Sequence, residues 1–235
     1  MEYGPEDITG LFEKSLRDNS MAVWTLSYDL AKQNAGPGKI WVMGGFVYRN
    51  VLRTAAVCPT FPEQLDVDFL IERIPEGDLV VPEEWSQKIT RDYGNLSFSR
   101  GDLKIDLNYL QNFRSILVRN LAPTLENFFT GTPLDVQSIV YDPLERAVQG
   151  EIGIRSLLEK SVRINNIQEA KYEAEKKGLT LRELVMRKAN EISFGYDLTI
   201  PGKAEEVAAD DIGIVPIGDK SSLIGISEKK IKVRP

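Results

Sequence analysis

The chain has 235 residues, a formal net charge of −6, 42% hydrophobic residues and no histidine. This is a globular composition, and the missing histidine excludes Ser-His-Asp triads, Cys-His pairs and imidazole metal sites. A single cysteine, Cys58, excludes an intramolecular disulfide framework. No apolar run approaches the roughly 20 residues of a membrane span, and the first residues lack the features of a signal peptide. We therefore expect a cytoplasmic protein without a membrane partner, in which any catalysis uses carboxylates, hydroxyls, amines or a hard metal.

The first part of the chain is predicted to contain helices and one short strand. Residues 6–35 have apolar positions every three or four residues, which predicts helix, and the polar stretch 17–20 divides this segment in two. Residues 39–43 form a short apolar run that is typical of a strand. The glycine pair 44–45 predicts a tight turn after that strand, and 46–53 returns to helical spacing.

The middle of the chain is predicted to form strands. Residues 65–72 alternate apolar and polar side chains, as a half-buried strand does. Residues 82–91 begin with a proline, which favours a helix at that point. Two further strands, 96–100 and 103–110, flank Gly101 and predict a hairpin. Helices and strands together indicate the α+β class.

The last part of the chain is predicted to be mainly helical. Residues 111–130 have helical spacing that a proline divides, 136–141 predict another strand, and 151–194 are helical with an interruption at Gly178. Residues 196–235 hold glycines, prolines and acidic clusters with short apolar pieces between them. This segment is either an arm of short strands or a loosely ordered tail.

Two aspartates on the predicted strand 65–72 are the first candidates for chemistry. Asp66 and Asp68 project from the same face, about 6.5 Å apart along the strand. Carboxylates at that spacing repel one another, and Mg²⁺ relieves the repulsion because it prefers oxygen ligands. The other interpretation is a solvent-exposed strand face, where alternate polar residues are common.

Two further features extend this pattern. Asp106 alternates with leucine and isoleucine in the predicted strand 103–110, so it could face the same side of the sheet as the aspartate pair. Upstream, Gly44 and Gly45 join a strand to a helix, where backbone amides can approach a triphosphate and the helix N-terminus favours an anion. A plain strand-to-helix turn is the alternative for the glycines.

The order of these segments resembles the head domain of the DNA polymerase β nucleotidyltransferase superfamily, in the class of CCA-adding enzymes and bacterial poly(A) polymerases. The matching segments are VMGGFVYRNVLR (42–53), LDVDFLIE (65–72), LKIDLNYL (103–110), LDVQSIVYD (134–142) and GEIGIRSLLEKSVR (150–163). The resemblance implies an α+β head at 1–150, with a small mixed or antiparallel sheet flanked by helices. It also implies a short helical neck at 151–194, followed by the arm or tail at 195–235.

The resemblance implies a two-metal Mg²⁺ site and a nucleotide site. The catalytic residues and metal ligands would be Asp66, Asp68 and Asp106. The nucleotide-binding residues would be Gly44, Gly45, Arg49 and Arg53. The two glycines would lie against the β- and γ-phosphates, and the two arginines would add positive charge to the triphosphate site.

The sequence departs from that class at three places. Tyr48-Arg49 stands where the class has Arg-Asp, and Gly131-Thr132-Pro133 stands where it has arginines. A nucleotide-selecting Glu-Asp-x-x-Arg helix has no match in 165–190. The metal triad is intact, whereas the base-selecting and triphosphate-binding residues differ.

The expected activity is Mg²⁺-dependent transfer of NMP from an NTP, ATP or CTP, to a hydroxyl, with an RNA 3′ end as the favoured acceptor. One alternative is nucleotidylation of a protein or a small molecule, which the short chain and the acidic charge favour over a complete tRNA-processing enzyme. Another is a catalytically degenerate head that acts as a binding or assembly module. The sequence leaves the acceptor, the preferred NTP and the oligomeric state open.

Overall fold

The computed structural model describes residues 4–55, 65–75, 77–89, 93–194 and 215–216. The α-helices in these residues are α1 (Pro5–Ser15), α2 (Met21–Asn34), α3 (Gly45–Thr54), α4 (Arg114–Val118), α5 (Leu125–Phe129), α6 (Glu151–Leu158), α7 (Ile167–Lys177) and α8 (Leu181–Phe194). The strands are β1 (Ile40–Met43), β2 (Asp66–Ile71), β3 (Ser86–Ile89), β4 (Leu96–Arg100), β5 (Leu103–Tyr109), β6 (Val140–Asp142), β7 (Ala147–Gln149), β8 (Ser161–Val162) and β9 (Val215–Pro216). Cys58 and most of the predicted arm lie outside the described residues.

Seven of the strands form one mixed sheet in the order β3-β4-β5-β2-β1-β6-β7. Neighbouring strands are antiparallel except for β2 and β5, which run parallel in the middle of the sheet. Helices α2 and α3 contact β5 and β2, and α1 contacts α3. The predicted α+β class, with a mixed sheet and flanking helices, is confirmed.

The two central strands form because their apolar side chains alternate with polar ones. Val67 and Phe69 of β2 and Ile105 and Leu107 of β5 are fully buried in the main core. Full burial of each such side chain contributes about 1.5–3 kcal/mol relative to exposure. Because side chains alternate across a strand, the same burial directs the aspartates of both strands to the opposite face of the sheet.

The face that carries the aspartates is not simply solvated. Leu70 of β2 is fully buried there, in a second apolar cluster with Trp41, Leu110, Ile116 and Phe128. Short helices after β5 supply part of this cluster. The face of β2 that carries Asp66 and Asp68 therefore also carries the buried Leu70 and borders an apolar cluster. A solvent-exposed strand face has no such cluster.

The predicted division of 6–35 into two helices is confirmed. A π-helical turn, Leu16–Ser20, joins α1 to α2. Asn50 of α3 lies against the join, where its Oδ1 accepts hydrogen bonds from Ser15 Oγ at 2.8 Å and Ser20 Oγ at 3.2 Å. Buried polar groups need such partners, so this contact attaches the start of the chain to the helix that follows the glycine pair.

The predicted helix at 82–91 is wrong, because residues 86–89 form the edge strand β3. Pro82 begins only a turn, in which Trp85 N–H donates to the Pro82 carbonyl at 2.9 Å. Trp85 is then buried in the main core, and the chain pairs with β4 in an antiparallel ladder. Burial of the indole ring and ladder hydrogen bonds outweigh a local helical preference, which is worth only tenths of a kcal/mol per residue.

The strand predicted at 136–141 is shorter, since β6 begins only at Val140. Asp135 explains the difference. Its Oδ1 accepts hydrogen bonds from the backbone N–H of Val136 at 2.7 Å and of Arg163 at 2.9 Å. Side-chain acceptors of this kind compete with strand pairing, and residues 135–137 form a 3₁₀ turn instead.

Two predicted helical segments are interrupted. Residues 111–130 contain the short helices α4 and α5, with Pro123 between them, as expected. The segment 151–194 is not continuous helix, because Lys160 has a positive φ of 48° and the extended pair Ser161–Val162 follows. That pair forms β8, which pairs with Val215–Pro216, and Asn166 then caps α7 through its side chain. The division of the chain into head, neck and arm stays a prediction.

Two helical glycines predict opposite effects of the same substitution. A β-carbon on Gly153 would lie 2.6 Å from the Ser138 carbonyl oxygen, whereas one on Gly10 would meet nothing within 4 Å. We expect Gly153→Ala to lower the free energy of unfolding by about 1–3 kcal/mol, because the close approach of α6 is lost. Gly10→Ala should raise it by up to about 1 kcal/mol through helix propensity. Urea unfolding measures both, and stabilisation by Gly153→Ala would contradict this packing.

Candidate active site

Three aspartates meet on adjacent parallel strands. Asp68 of β2 lies directly opposite Asp106 of β5, and Asp66 lies opposite Lys104. One carboxylate oxygen from each of Asp66, Asp68 and Asp106 lies within 4.8 Å of the other two. The structure therefore brings together the three residues predicted as metal ligands, although they come from strands 40 positions apart along the chain.

The three carboxylates strongly affect one another. Burial, followed by the charges of Asp66 and Asp106, raises the pKa of Asp68 from 3.8 to about 7. Burial and nearby negative charges both disfavour a carboxylate anion. Without a cation, Asp68 is therefore still partly protonated near pH 7.

Lys104 is a fourth member of this group, and the sequence analysis missed it. Its Nζ donates a hydrogen bond to Asp106 Oδ2 and lies 3.7 Å from Asp66 Oδ1. Burial alone would lower the pKa of this amine, but the Asp106 hydrogen bond and the charges of Asp66 and Asp68 raise it. Strand alternation could have revealed the residue, because Lys104 and Asp106 are two positions apart and share a face.

The aspartate group fits a divalent cation of the magnesium type. All three side chains offer oxygen, the ligand that Mg²⁺ prefers. Asp106 Oδ1 is buried and accepts no hydrogen bond from any described residue, although buried polar atoms usually have a partner. A metal ion would supply the missing partner, and Lys104 already places one positive charge beside the same carboxylate.

The predicted turn at Gly44-Gly45 is confirmed at the end of β1. Gly44 N–H donates to the Ile139 carbonyl at 3.1 Å, which holds the turn against the segment before β6. Gly44 has φ 57° and ψ −122°, a conformation that side chains rarely adopt. Gly45 then begins α3, and both glycines line the same cavity as Asp68.

A cavity of about 480 Å³ extends from the glycines and the carboxylates. Gly44, Gly45 and Asp68 line it, together with the aromatic rings of Tyr93, Phe113 and Tyr172. Aromatic walls next to a few polar groups are typical of small-molecule sites. Planar rings also suit the stacking of a nucleobase.

One wall of the cavity carries a charge pair that the sequence analysis did not predict. Arg114 Nη1 donates to Glu169 Oε1 at 2.7 Å, and the Arg114 guanidinium lies 3.7 Å from the centre of the Tyr172 ring. Arg114 precedes this part of α7 by 55 positions. Only the folded chain brings the pair together, so no local pattern signals it.

The structure places the other predicted nucleotide residues differently. Arg49 lies beside Gly45, and its guanidinium forms an ion pair with Glu191 of α8. Arg53 lies one turn further along α3, and neither arginine is among the residues that line the cavity. Gly131, Thr132 and Pro133, at the position of the missing arginines, do line it. That part of the wall is uncharged.

No protein-family model and no curated protein matches the sequence. Among solved structures, a CCA-adding enzyme in an apo form matches with a TM-score of 0.51 and 16% identity, over 77% of this chain and 41% of that chain. The chain shares the fold of this part of the CCA-adding enzyme.

Two further solved structures match this chain with lower TM-scores. A tRNA-processing enzyme in an apo form has a TM-score of 0.49 and 15% identity, over 75% of this chain and 43% of that one. A tRNA nucleotidyltransferase complexed with a primer tRNA and an incoming ATP analogue has a TM-score of 0.45 and 15% identity, over 73% and 45%. The chain spans less than half the length of each of these proteins. No helix among its described residues is long and apolar enough to cross a membrane.

Proposed function

We propose that this protein is a Mg²⁺-dependent nucleotidyltransferase that transfers NMP from an NTP to a hydroxyl acceptor. The convergence of Asp66, Asp68 and Asp106 beside the glycine turn carries the proposal. A scaffold alone has no use for three converging carboxylates, whose burial and neighbouring charges raise the pKa of Asp68. An RNA 3′ end is the favoured acceptor, because the fold matches that of a CCA-adding enzyme.

The three aspartates would hold Mg²⁺, which when bound neutralises charge on the reacting phosphate and its leaving group. Asp106 accepts the proton of the attacking hydroxyl. The hydroxyl oxygen then forms a bond to the α-phosphorus, the bond from that phosphorus to the bridging oxygen breaks, and pyrophosphate leaves. Phosphoryl transfer depends mainly on positioning and electrostatics, so a chain without histidine can perform it.

The cavity accounts for the remainder of the nucleotide. The amides at the glycine turn would receive the triphosphate, and the rings of Tyr93, Phe113 and Tyr172 would enclose the base. ATP or CTP is the expected donor. The uncharged wall at 131–133 means that this chain binds its triphosphate with other residues than the arginines of the resembled class.

A transfer assay distinguishes the acceptor classes. The full chain is incubated with each α-³²P-labelled NTP, Mg²⁺ and either total RNA or a cell lysate. We expect label in RNA, and no label when Mg²⁺ is chelated or when the variant is Asp66→Asn/Asp68→Asn. Asp102→Asn is the matched control, because this exposed aspartate lies in the turn between β4 and β5, away from the cluster.

The other outcomes select the alternatives. Label on a protein or a small metabolite would replace RNA with that acceptor and keep the reaction. Transfer that is equal in wild type and the double variant would exclude these aspartates as the catalytic group. If no acceptor is labelled and no NTP binds, the remaining interpretation is a catalytically degenerate head that acts as a binding or assembly module.

A further inference from the structure

Two cations from different helices converge on one carboxylate just behind the glycine turn. Glu191 of α8 pairs with the guanidinium of Arg49 through Oε1 and accepts from Lys188 Nζ at 2.9 Å through Oε2. Lys188 also donates to the Tyr48 hydroxyl at 3.2 Å. Arg49 and Tyr48 belong to α3, and Lys188 and Glu191 belong to α8.

This group lies beside Gly45, although its four residues are not themselves among those that line the cavity. A β-carbon on Gly45 would lie 3.7 Å from Arg49 Nη1 and 3.8 Å from the Tyr48 hydroxyl. Gly45 itself lines the cavity beside Asp68. An anionic group that rests against Gly45 would therefore approach the Arg49 guanidinium, with the buried Tyr48 hydroxyl and its partner Lys188 behind it.

The energetics of the group favour an anion with more than one charge. The side chains of Arg49 and Lys188 are both only 13% exposed. Burial, followed by the charge of Arg49, lowers the pKa of Lys188 from 10.5 to about 7. The Glu191 carboxylate favours the charged amine, and a triphosphate would favour it more because it carries several negative charges. Arginine binds phosphate oxygens through paired N–H groups, and lysine does so as a point charge.

We infer that Tyr48, Arg49 and Lys188 form the binding site for the terminal phosphates of the nucleotide, and that Glu191 holds the two cations until a triphosphate displaces it. The inference rests on the proposed function, since it names the triphosphate-binding residues of the same site. It explains the departure at Tyr48-Arg49, because the tyrosine hydroxyl positions Lys188. Arg49 and Lys188 also supply the positive charge that the wall at 131–133 lacks.

Removal of the amine and removal of the carboxylate should change phosphate affinity in opposite directions. Binding of Mg²⁺·tripolyphosphate, which carries no base, is measured by calorimetry on the full chain. We expect Lys188→Gln to weaken binding at least tenfold and Glu191→Gln to tighten it severalfold. Tyr48→Phe should weaken it less, and Lys188→Arg should restore most of the affinity. Arg182→Gln is the matched control, because this exposed residue lies on the same helix α8.

A nucleotide series separates a phosphate site from a structural ion pair. With ATP, ADP and AMP, the loss in Lys188→Gln should grow with the number of phosphates, whereas a purely structural change would reduce affinity for all three equally. If Lys188→Gln does not fold, the tighter binding expected of Glu191→Gln still tests the inference. Equal tripolyphosphate affinity in wild type, Tyr48→Phe and Glu191→Gln would overturn it.

The two proposals fail in different ways. If wild type transfers label to an acceptor but these variants bind tripolyphosphate as wild type does, the terminal-phosphate site is wrong and the nucleotidyltransferase stands. If the variants change tripolyphosphate affinity as expected but no acceptor is labelled, the anion site stands and the proposed reaction is wrong.

Discussion

Replacing Asp68 by asparagine is expected to stabilise the magnesium-free protein and to abolish nucleotidyl transfer. The pKa of Asp68 is raised to about 7, with burial as the largest cause, so at pH 8 the folded chain must ionise a carboxyl that resists ionisation. An amide has no such cost and can donate to Asp66 and Asp106. We expect the free energy of unfolding at pH 8 to rise by roughly 2–4 kcal/mol, since each pKa unit corresponds to about 1.4 kcal/mol.

The pH dependence has a definite sign. Between about pH 4 and about pH 7 the folded protein keeps a proton on Asp68 that the unfolded chain has released, since the ordinary pKa is 3.8. The free energy of unfolding of the wild type should therefore fall as pH rises through this window, and then level off. In Asp68→Asn this part of the slope should disappear. Thermal melts from pH 4 to 8 in chelator measure both effects.

In magnesium, the wild type should become more stable than Asp68→Asn, the reverse of their order in chelator. Mg²⁺ should bind the ionised cluster and raise the melting temperature of the wild type at pH 8, but it should leave Asp68→Asn almost unchanged. Transfer should fall at least about 10³-fold, because metal stabilisation of the transition state is worth several kcal/mol. Asp102→Asn should melt and react like the wild type. If Asp68→Asn were less stable than the wild type in chelator, the prediction that burial and neighbouring charges destabilise the Asp68 carboxylate would be wrong.

Gly45→Ala is expected to leave stability intact and to weaken nucleotide binding. The new β-carbon would lie no closer than 3.7 Å to Arg49 Nη1, which is an ordinary contact, and alanine is the better helix residue at the start of α3. The same methyl group would be added to a residue that lines the cavity, where the proposed triphosphate would approach the backbone. Loss of one or two charge-assisted hydrogen bonds, about 1.5–3 kcal/mol, corresponds to about 10–100-fold in affinity for Mg²⁺·NTP.

Gly44→Ala provides the contrast. Gly44 has φ 57° and ψ −122°, so a side chain there is strained, and we expect a loss of about 1–3 kcal/mol in the free energy of unfolding. Calorimetry and thermal melts on both variants separate the two effects, with Gly10→Ala as a control in α1. Unchanged NTP affinity in a folded Gly45→Ala would mean that the triphosphate does not lie against this turn.

The parts of the site that follow from strand alternation could be predicted from the sequence. Asp66 and Asp68 share a face because a strand repeats every second residue, and Asp106 obeys the same rule on β5. The glycine turn follows from the change of period between β1 and α3. Each of these features depends on fewer than ten neighbouring residues, so local patterns contain it.

The errors arise where a tertiary contact overrides a local preference. The proline at 82 is a good helix start, yet Trp85 enters the core and 86–89 pair with β4. The strand predicted from 136 is delayed by three hydrogen bonds to Asp135 Oδ1, two of which come from the distant residues Ser156 and Arg163. Neither the burial of Trp85 nor the long-range hydrogen bonding of Asp135 can be recognised from the spacing of apolar residues nearby in the sequence.

The residues that sequence reasoning missed reach the site from far along the chain. Lys188 meets Tyr48 across 140 positions, and Glu169 meets Arg114 across 55. Arg49 was predicted to bind phosphate, but the sequence gives no sign that Glu191 would pair with it. Long-range charge pairing depends on how α3, α7 and α8 pack, and a single sequence does not contain that geometry.

Because β2 pairs with β5 in parallel, the hydrophobic core has a second role: it fixes the register that places Asp106 opposite Asp68. A slip of one residue would place Ile105 or Leu107 opposite Asp68 and turn Asp106 to the other side of the sheet. The slip is prevented because both apolar residues are fully buried on the opposite face. Core substitutions in β5 that only loosen this register should therefore reduce metal affinity while the protein is still folded, so the precision of the site is set by side chains that never touch the metal or the nucleotide.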